Sequence, residues 1–187
     1  MDKLSDIMTQ HLVITAVGSD RPGIGNQIIR LVTQSGCNIV DSRIAIFGNE
    51  FTIIMLLSGN TNSITRVETT LPLLGQEHEL ITMMKRTSKH ESLSHHYTIE
   101  VIVESDDKVG LTEKFSHFFA DRKIGISSLS AQTIDKLKIQ QSHDQFHIHL
   151  TAMASSDCDM QQLHNEFDAL CCHLGVKGIL KSLPSTL

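Results

Sequence analysis

The sequence predicts an α+β chain of two tandem βαββαβ units, each a four-stranded antiparallel sheet with two helices on one face. Three observations predict it: the chain repeats itself, both copies run through strand and helix periodicities in the same order, and a polar segment divides them. With 187 residues, 40% hydrophobic and 20% charged, the chain has room for two units of about 90 residues and apolar material for a core in each.

A shift of 87 residues lays Leu12, Ile14 and Ala16 onto Ile99, Val101 and Val103, and Asp20, Gly23 and Ile24 onto Asp107, Gly110 and Leu111. It carries on through Ile28/Phe115, Leu31/Phe118, Val32/Phe119 and Ile39/Ile126. Beyond that a shift of 95 or 96 is needed, pairing Phe51 with Phe146, and Ile64, Val67, Leu71 and Leu74 with Met160, Leu163, Phe167 and Leu170. The change places about eight extra residues in the polar stretch 135–144 of the second copy.

In the first copy, residues 11–17 alternate apolar and polar side chains, the signature of a strand with one buried face. The turn Ser19-Asp20-Arg21-Pro22-Gly23 follows, with Pro placed to open a helix. Ile24, Ile28, Leu31 and Val32 form one stripe of that helix, which ends near Ser35-Gly36. Residues 37–47 and 51–57 read as strands joined by the hairpin turn Gly48-Asn49-Glu50. Thr61-Asn62-Ser63 can cap a second helix carrying Ile64, Val67, Leu71 and Leu74, which Pro72 is expected to end or kink. Residues 79–86 form the last strand. The order β-α-β-β-α-β is that of a ferredoxin-like unit.

The first unit spans residues 9–87, the polar stretch 88–95 is the linker, and the second unit spans 96–184. The second copy reads as strand 96–104, helix 109–122, strands 124–134 and 145–154, helix 157–173 and strand 176–183. A sheet with helices on one side leaves its other face and its edges open, so the units are expected to pack together or the chain to form a homodimer.

The most informative stretch is Val17-Gly18-Ser19-Asp20-Arg21-Pro22-Gly23-Ile24. Gly23 lets backbone approach a ligand, and the unpaired N–H groups of a helix start suit a carboxylate. Asp20 can cap those N–H groups or meet an ammonium group. Donors beside an acid are what an α-amino acid needs, although the same residues suit a plain Pro-Gly turn with an acidic cap.

This Asp-Arg-Pro-Gly-Ile turn, followed by Gly36-Cys37-Asn38-Ile39 opening the next strand, resembles the ACT domain, a small regulatory module that often binds amino acids and works in pairs. The second copy, Ser105-Asp106-Asp107-Lys108-Val109-Gly110-Leu111, keeps Asp and Gly and lacks Arg-Pro. The resemblance implies ligand-binding positions at Asp20, Gly23, Ile24, Asn38 and Ile39, and at Asp107, Gly110 and Leu111, with Gly125 and Ile126 matching the second pair.

Two stretches, residues 37–43 and 51–59, together with Thr70-Leu71-Pro72-Leu73 and Met84-Lys85-Arg86-Thr87, are similar to stand-alone tandem ACT repressors. That resemblance implies a cytoplasmic, non-enzymatic negative regulator of the glycine cleavage operon. Such a regulator senses an amino acid, with glycine as signal, and acts through a LysR-type activator. An amino-acid-sensing regulatory subunit of a separate metabolic enzyme is the alternative, since the fold serves both.

Composition agrees with a partner that holds the DNA. The formal charge is −5, from 16 Lys+Arg against 21 Asp+Glu, and neither copy is a basic arm. One Tyr and no Trp leave few stacking platforms for single strands. No apolar run approaches the roughly 20 residues of a membrane span, and Met1-Asp2-Lys3-Leu4-Ser5-Asp6 lacks the apolar stretch of a secretory signal.

Eleven histidines invite a metal reading, with His147 and His149 on one strand face and Cys171-Cys172-His173 ending a helix. Two His at i, i+2 fall short of a three- or four-ligand site, so an exposed strand face is expected, with no metal and no cofactor. Cys171 is expected in the core. No nucleophile elbow, phosphate loop or dinucleotide fingerprint occurs, and Asp41-Ser42-Arg43 reads as a strand-surface ion pair, so no catalytic residue is assigned.

Overall fold

The computed structural model describes residues 9–88, 96–106, 109–135 and 144–184, so Asp107 and most of the expected linker lie outside the described residues. The chain divides into two compact units, Met1–Glu91 and Ser92–Leu187. The first runs β1 (Gln10–Ser19), α1 (Ile24–Gln34), β2 (Asn38–Phe47), β3 (Glu50–Gly59), α2 (Thr61–His78) and β4 (Ile81–Thr87). The second repeats it as β5 (His96–Asp106), α3 (Leu111–Asp121), β6 (Gly125–Ile134), β7 (Gln145–Ser155), α4 (Met160–Leu174) and β8 (Lys177–Pro184). The sheets are four-stranded and antiparallel throughout, with orders β2-β3-β1-β4 and β6-β7-β5-β8. This is the ferredoxin-like α+β architecture expected from the sequence.

The cores follow from strand alternation. Leu12, Ile14 and Ala16 of β1 and Ile53, Met55 and Leu57 of β3 are all at most 1% exposed. They pack against Ile24, Ile28 and Val32 of α1 and Ile64, Val67 and Leu71 of α2. In the second unit Phe115, Phe119 and Phe167 take the helix positions, and Phe118 meets Phe119 edge-on with ring centroids 5.1 Å apart. The larger aromatics sit against the small Ala152 and Ala154 of β7, so volume is exchanged between layers.

Two expectations about α2 are corrected. Its N-cap is Asn60, whose side chain accepts from the Ser63 N–H at 2.9 Å, and not the following Thr61-Asn62-Ser63. Pro72 neither ends nor interrupts the helix, which runs on to His78. Pro72 lies on the exposed side, while Leu71 and Gly75 beside it are buried and hold the helix to the sheet. That burial outweighs one missing hydrogen bond. The helix then closes on Glu79 in a left-handed conformation at φ 56°, so β4 begins two residues later than the sequence pattern suggests.

The two open sheet faces differ. In the first unit Arg43, Ile54, Thr15 and Met83 stand in one row and Asp41, Leu56, Val13 and Lys85 in the next, a surface apolar along its centre with its charges on the edge strands. In the second, Glu104, His147 and Lys177 form one row and Glu100, Thr151 and Lys181 another, with His149 Nε2 2.9 Å from Glu100 Oε1. Ten residues separate β6 from β7, against the two of the Gly48-Asn49 turn, which places the extra residues of the second copy there.

Gly178 of β8 faces the second core, where an added Cβ would meet the Cys171 sulfur and lie 3.0 Å from the Phe167 ring. Gly178→Ala is therefore expected to destabilise the protein by about 1–3 kcal/mol in urea unfolding, and an unchanged midpoint would contradict this packing. Burial, helped by the charge of Asp168, pushes the Cys171 thiol up to about 11 from an ordinary value of 9.0, whereas Cys172 is exposed. A raised folded value means that this contribution to stability is whole below pH 9 and fades as pH climbs through about 11. At pH 8 an aromatic disulfide reagent should consume Cys172 well before Cys171; equal rates in the folded protein would refute the burial.

Candidate ligand-binding site

The turn between β1 and α1 is built by backbone. Gly23 is the N-cap of α1 at φ 88°, a left-handed conformation that glycine adopts without cost, and no side chain caps the helix. The Asp20 N–H instead donates to the Asn49 carbonyl at 2.9 Å, stitching the end of β1 to the β2–β3 hairpin. Of the two roles open to Asp20, capping is not taken: its carboxylate stays exposed and makes no cap hydrogen bond. Arg21 Nη2 donates to the His78 carbonyl at 2.9 Å, tying the turn to the last residue of α2.

The Ile24 N–H closes the turn onto Arg21 O at 3.3 Å. Helix geometry leaves the next two amides, Gly25 and Asn26, without an intrahelical acceptor, and none is supplied elsewhere among the described residues. Gly25 packs flat on Phe51, where an added Cβ would sit 3.3 Å from the ring. A Cβ on Gly23 would meet nothing within 4 Å, so space stands open in front of these donors. Ile24 is 2% exposed and offers only its backbone, its side chain being a core member.

The second unit repeats this geometry. Gly110 caps α3 at φ 87° with no side-chain cap and no atom within 4 Å of an added Cβ, and Leu111 is buried as Ile24 is. Asp107, the counterpart of Asp20, lies outside the described residues.

Asn38 and Ile39 stand elsewhere. They open β2 opposite Ser58 and Leu57, whereas the Asp20–Gly23 turn follows Ser19, which pairs with Glu50. Ser58 lies eight steps along β3 from Glu50, roughly 26 Å at the rise of a strand. A single unit therefore brings Asp20, Gly23 and Ile24 together and leaves Asn38 and Ile39 at the other end of its sheet. A bulge at Val40 follows them, and one at Ser127 follows Gly125 and Ile126.

The other candidates are surface features. Arg43 Nη2 lies 3.5 Å from Asp41 Oδ2, both more than half exposed. His147 faces Gln145 Oε1 at 3.2 Å and His149 is paired with Glu100. Among the described residues no three His, Cys, Asp or Glu side chains converge, and no helix is long and apolar enough to cross a membrane. The sequence reading expected free amides at the helix start without numbering them; they are those of Gly25 and Asn26, and the signal that numbers them is a glycine directly before the apolar stripe.

A ferredoxin-like unit given twice, each copy opening its first helix on a left-handed glycine after an acidic turn, defines a tandem ACT-domain protein. The ACT domain family matches residues 10–85. The chain belongs to the family of glycine cleavage system transcriptional repressors. It is 42% identical over 173 residues to the repressor of that name from Escherichia coli (strain K12), covering 92% of this chain and 90% of the relative. A crystal structure described as a repressor of the same kind shares 64% identity, covers 95% of this chain and 99% of its own, and superposes with a TM-score of 0.69. A protein of unknown function from Galdieria sulphuraria, at 22% identity and TM-score 0.72, shares the fold.

The two glycines carry the turn by conformation and not by packing. Gly23→Ala and Gly110→Ala are each expected to cost about 1–2 kcal/mol in urea unfolding, from left-handed strain alone. A cost near zero would show that the turn relaxes and does not hold its donors in place.

Proposed function

We propose that the protein is a cytoplasmic, non-enzymatic negative regulator of the glycine cleavage operon that senses glycine and acts through a LysR-type activator. The regulatory role rests on kinship along 92% of the chain to a protein named for repression of that system. The sensing role rests on one observation, the uncapped glycine turn with open space before the Gly25 and Asn26 amides and the exposed carboxylate of Asp20 on the same turn. Amides receive the carboxylate of an amino acid and the aspartate receives its ammonium group. Glycine has no side chain, so recognition by the backbone of an open turn needs no specificity pocket.

Asn38 and Ile39 enter the same reading through a second unit. Being roughly 26 Å from the turn within their own sheet, they can touch its ligand only if another unit, of this chain or of a second copy, presents its β2 there. Unit packing or a homodimer would then complete the site, and a ligand at that junction would shift the assembly toward the state it binds better. Reliance on an activator for DNA contact follows from a formal charge of −5, which gives no electrostatic footprint for phosphate.

Calorimetric titration with glycine and a panel of amino acids tests this. Saturable glycine binding is expected, retained in Gly23→Ala and lost in Gly23→Asp, because both substitutions strain the turn and only the second puts negative charge before the amides. Gly110→Asp reports on the second unit in the same way. No heat with any amino acid would overturn the sensing role and assign it to the activator.

A further inference from the structure

On the helical side of the first unit, away from the turn, a groove of about 460 Å³ runs between α1 and α2. Leu31 and Leu74 lie in it, both half-buried, and Arg30, Arg66 and His78 bring basic groups to it. No carboxylate lines it. The helix α1 carries no acid; of the two acids of α2, Glu68 is held away by Arg86 at 2.7 Å, and Glu77 is exposed and does not line the groove. Among the described residues neither Arg30 nor Arg66 is in an ion pair.

The second unit shows what the same place looks like when its charges are met internally. At the shift that aligns Leu71 with Phe167, Thr70 becomes Glu166, and Arg66 becomes Gln162. Arg122, just past α3, donates to Glu166 Oε2 at 2.7 Å, and Gln162 donates to Glu166 Oε1 at 2.7 Å. Arg122 also lies over the Phe118 ring at 3.8 Å, and His117, the counterpart of Arg30, is 3.2 Å from Asp121. A carboxylate thus bridges the helices of one copy, while the other has Ser35 and Thr70 in place of Arg122 and Glu166 and carries its cations, Arg30 and Arg66, where the second copy has His117 and Gln162. In a chain of net charge −5, an uncompensated basic groove is the exception.

We propose that the α1–α2 groove of the first unit docks an acidic amphipathic helix of a protein partner. The occupant's carboxylates would stand where Glu166 stands in the second unit, and its apolar side would cover Leu31 and Leu74. Two arginines over a leucine floor suit a peptide better than a nucleic acid, whose backbone asks for many cations and no apolar contact. This rests on the reading of the protein as a regulator that works through a protein partner, and it adds the surface and the chemistry of that partner.

The test uses the full chain and a defined probe: a fluorescent helix-forming peptide with leucines on one side and glutamates on the other, and a twin with lysines for glutamates. Saturable binding of the acidic peptide is expected in fluorescence anisotropy, with the Gln27 and Thr70 amides shifting in NMR spectra. The pair Arg30→Glu/Arg66→Glu should weaken it at least about tenfold and gain affinity for the lysine twin. Arg30→Gln/Arg66→Gln serves if charge reversal impairs folding, and Lys85→Ala, on the open sheet face away from the helices, should leave affinity unchanged. Equal affinity in wild type and the arginine pair, no saturable binding, or a duplex oligonucleotide binding through the same two arginines would overturn the proposal. The measurement needs neither glycine nor an activator, so it and the sensing role can fail independently.

Discussion

Everything in each unit hangs on one constraint: the central antiparallel pair must bury one face under two helices. In the first unit that pair is β1 with β3, locked with Leu12 opposite Leu57, Ile14 opposite Met55 and Ala16 opposite Ile53. A slip of one residue would turn the three core residues of one strand toward the open face and its alternates toward the core, so the register has no near competitor. Once it is fixed, Ser19 must meet Glu50, and the β1–α1 turn must lie beside the β2–β3 hairpin. The hydrogen bond from Asp20 to Asn49 then follows from register. The location of the donor turn is a consequence of core packing.

The same constraint explains what could be read from the sequence. Period-two alternation in β1 and β3 and the stripe Ile24, Ile28, Val32 are direct images of burial, so strands, helices and the duplication were legible. Pro72 misled because a local rule was applied where tertiary burial of Leu71 and Gly75 prevails. The bulges at Val40 and Ser127 leave no mark in the alternation of exposed edge strands, where almost every residue of β2 and β6 faces solvent. For the site, the glycine of the turn was visible as a residue type. Its distance from Asn38 was not, because adjacency in a motif says nothing about which end of a sheet a residue occupies.

Duplication also separates what the fold demands from what it allows. Both copies keep the core positions, the bulge and the glycine cap. They differ in the open sheet face, apolar around Ile54 and Met83 in one and charged around Glu100 and His149 in the other, and in the groove between helices. Such surfaces contribute little to stability, so sequence is free to specialise them. The Arg122–Glu166 pair shows the point. Its side chains are about one-third exposed at the helix surface, and the first copy replaces both of them, with Ser35 and Thr70.

The turn itself shows which part of a motif does which work. Without Arg-Pro, the second copy still brings Gly110 to φ 87°, within a degree of the 88° of Gly23. The donor geometry is therefore set by glycine and the helix start, and Arg21-Pro22 must serve another end. Arg21 supplies it by donating to the carbonyl of His78, the final residue of α2, whose other side borders the basic groove. The arginine thus joins the turn that would receive the amino acid to the helix end that would receive the partner. In the first unit the donor turn is thereby hydrogen-bonded to a residue that lines the groove, so the two surfaces share one contact.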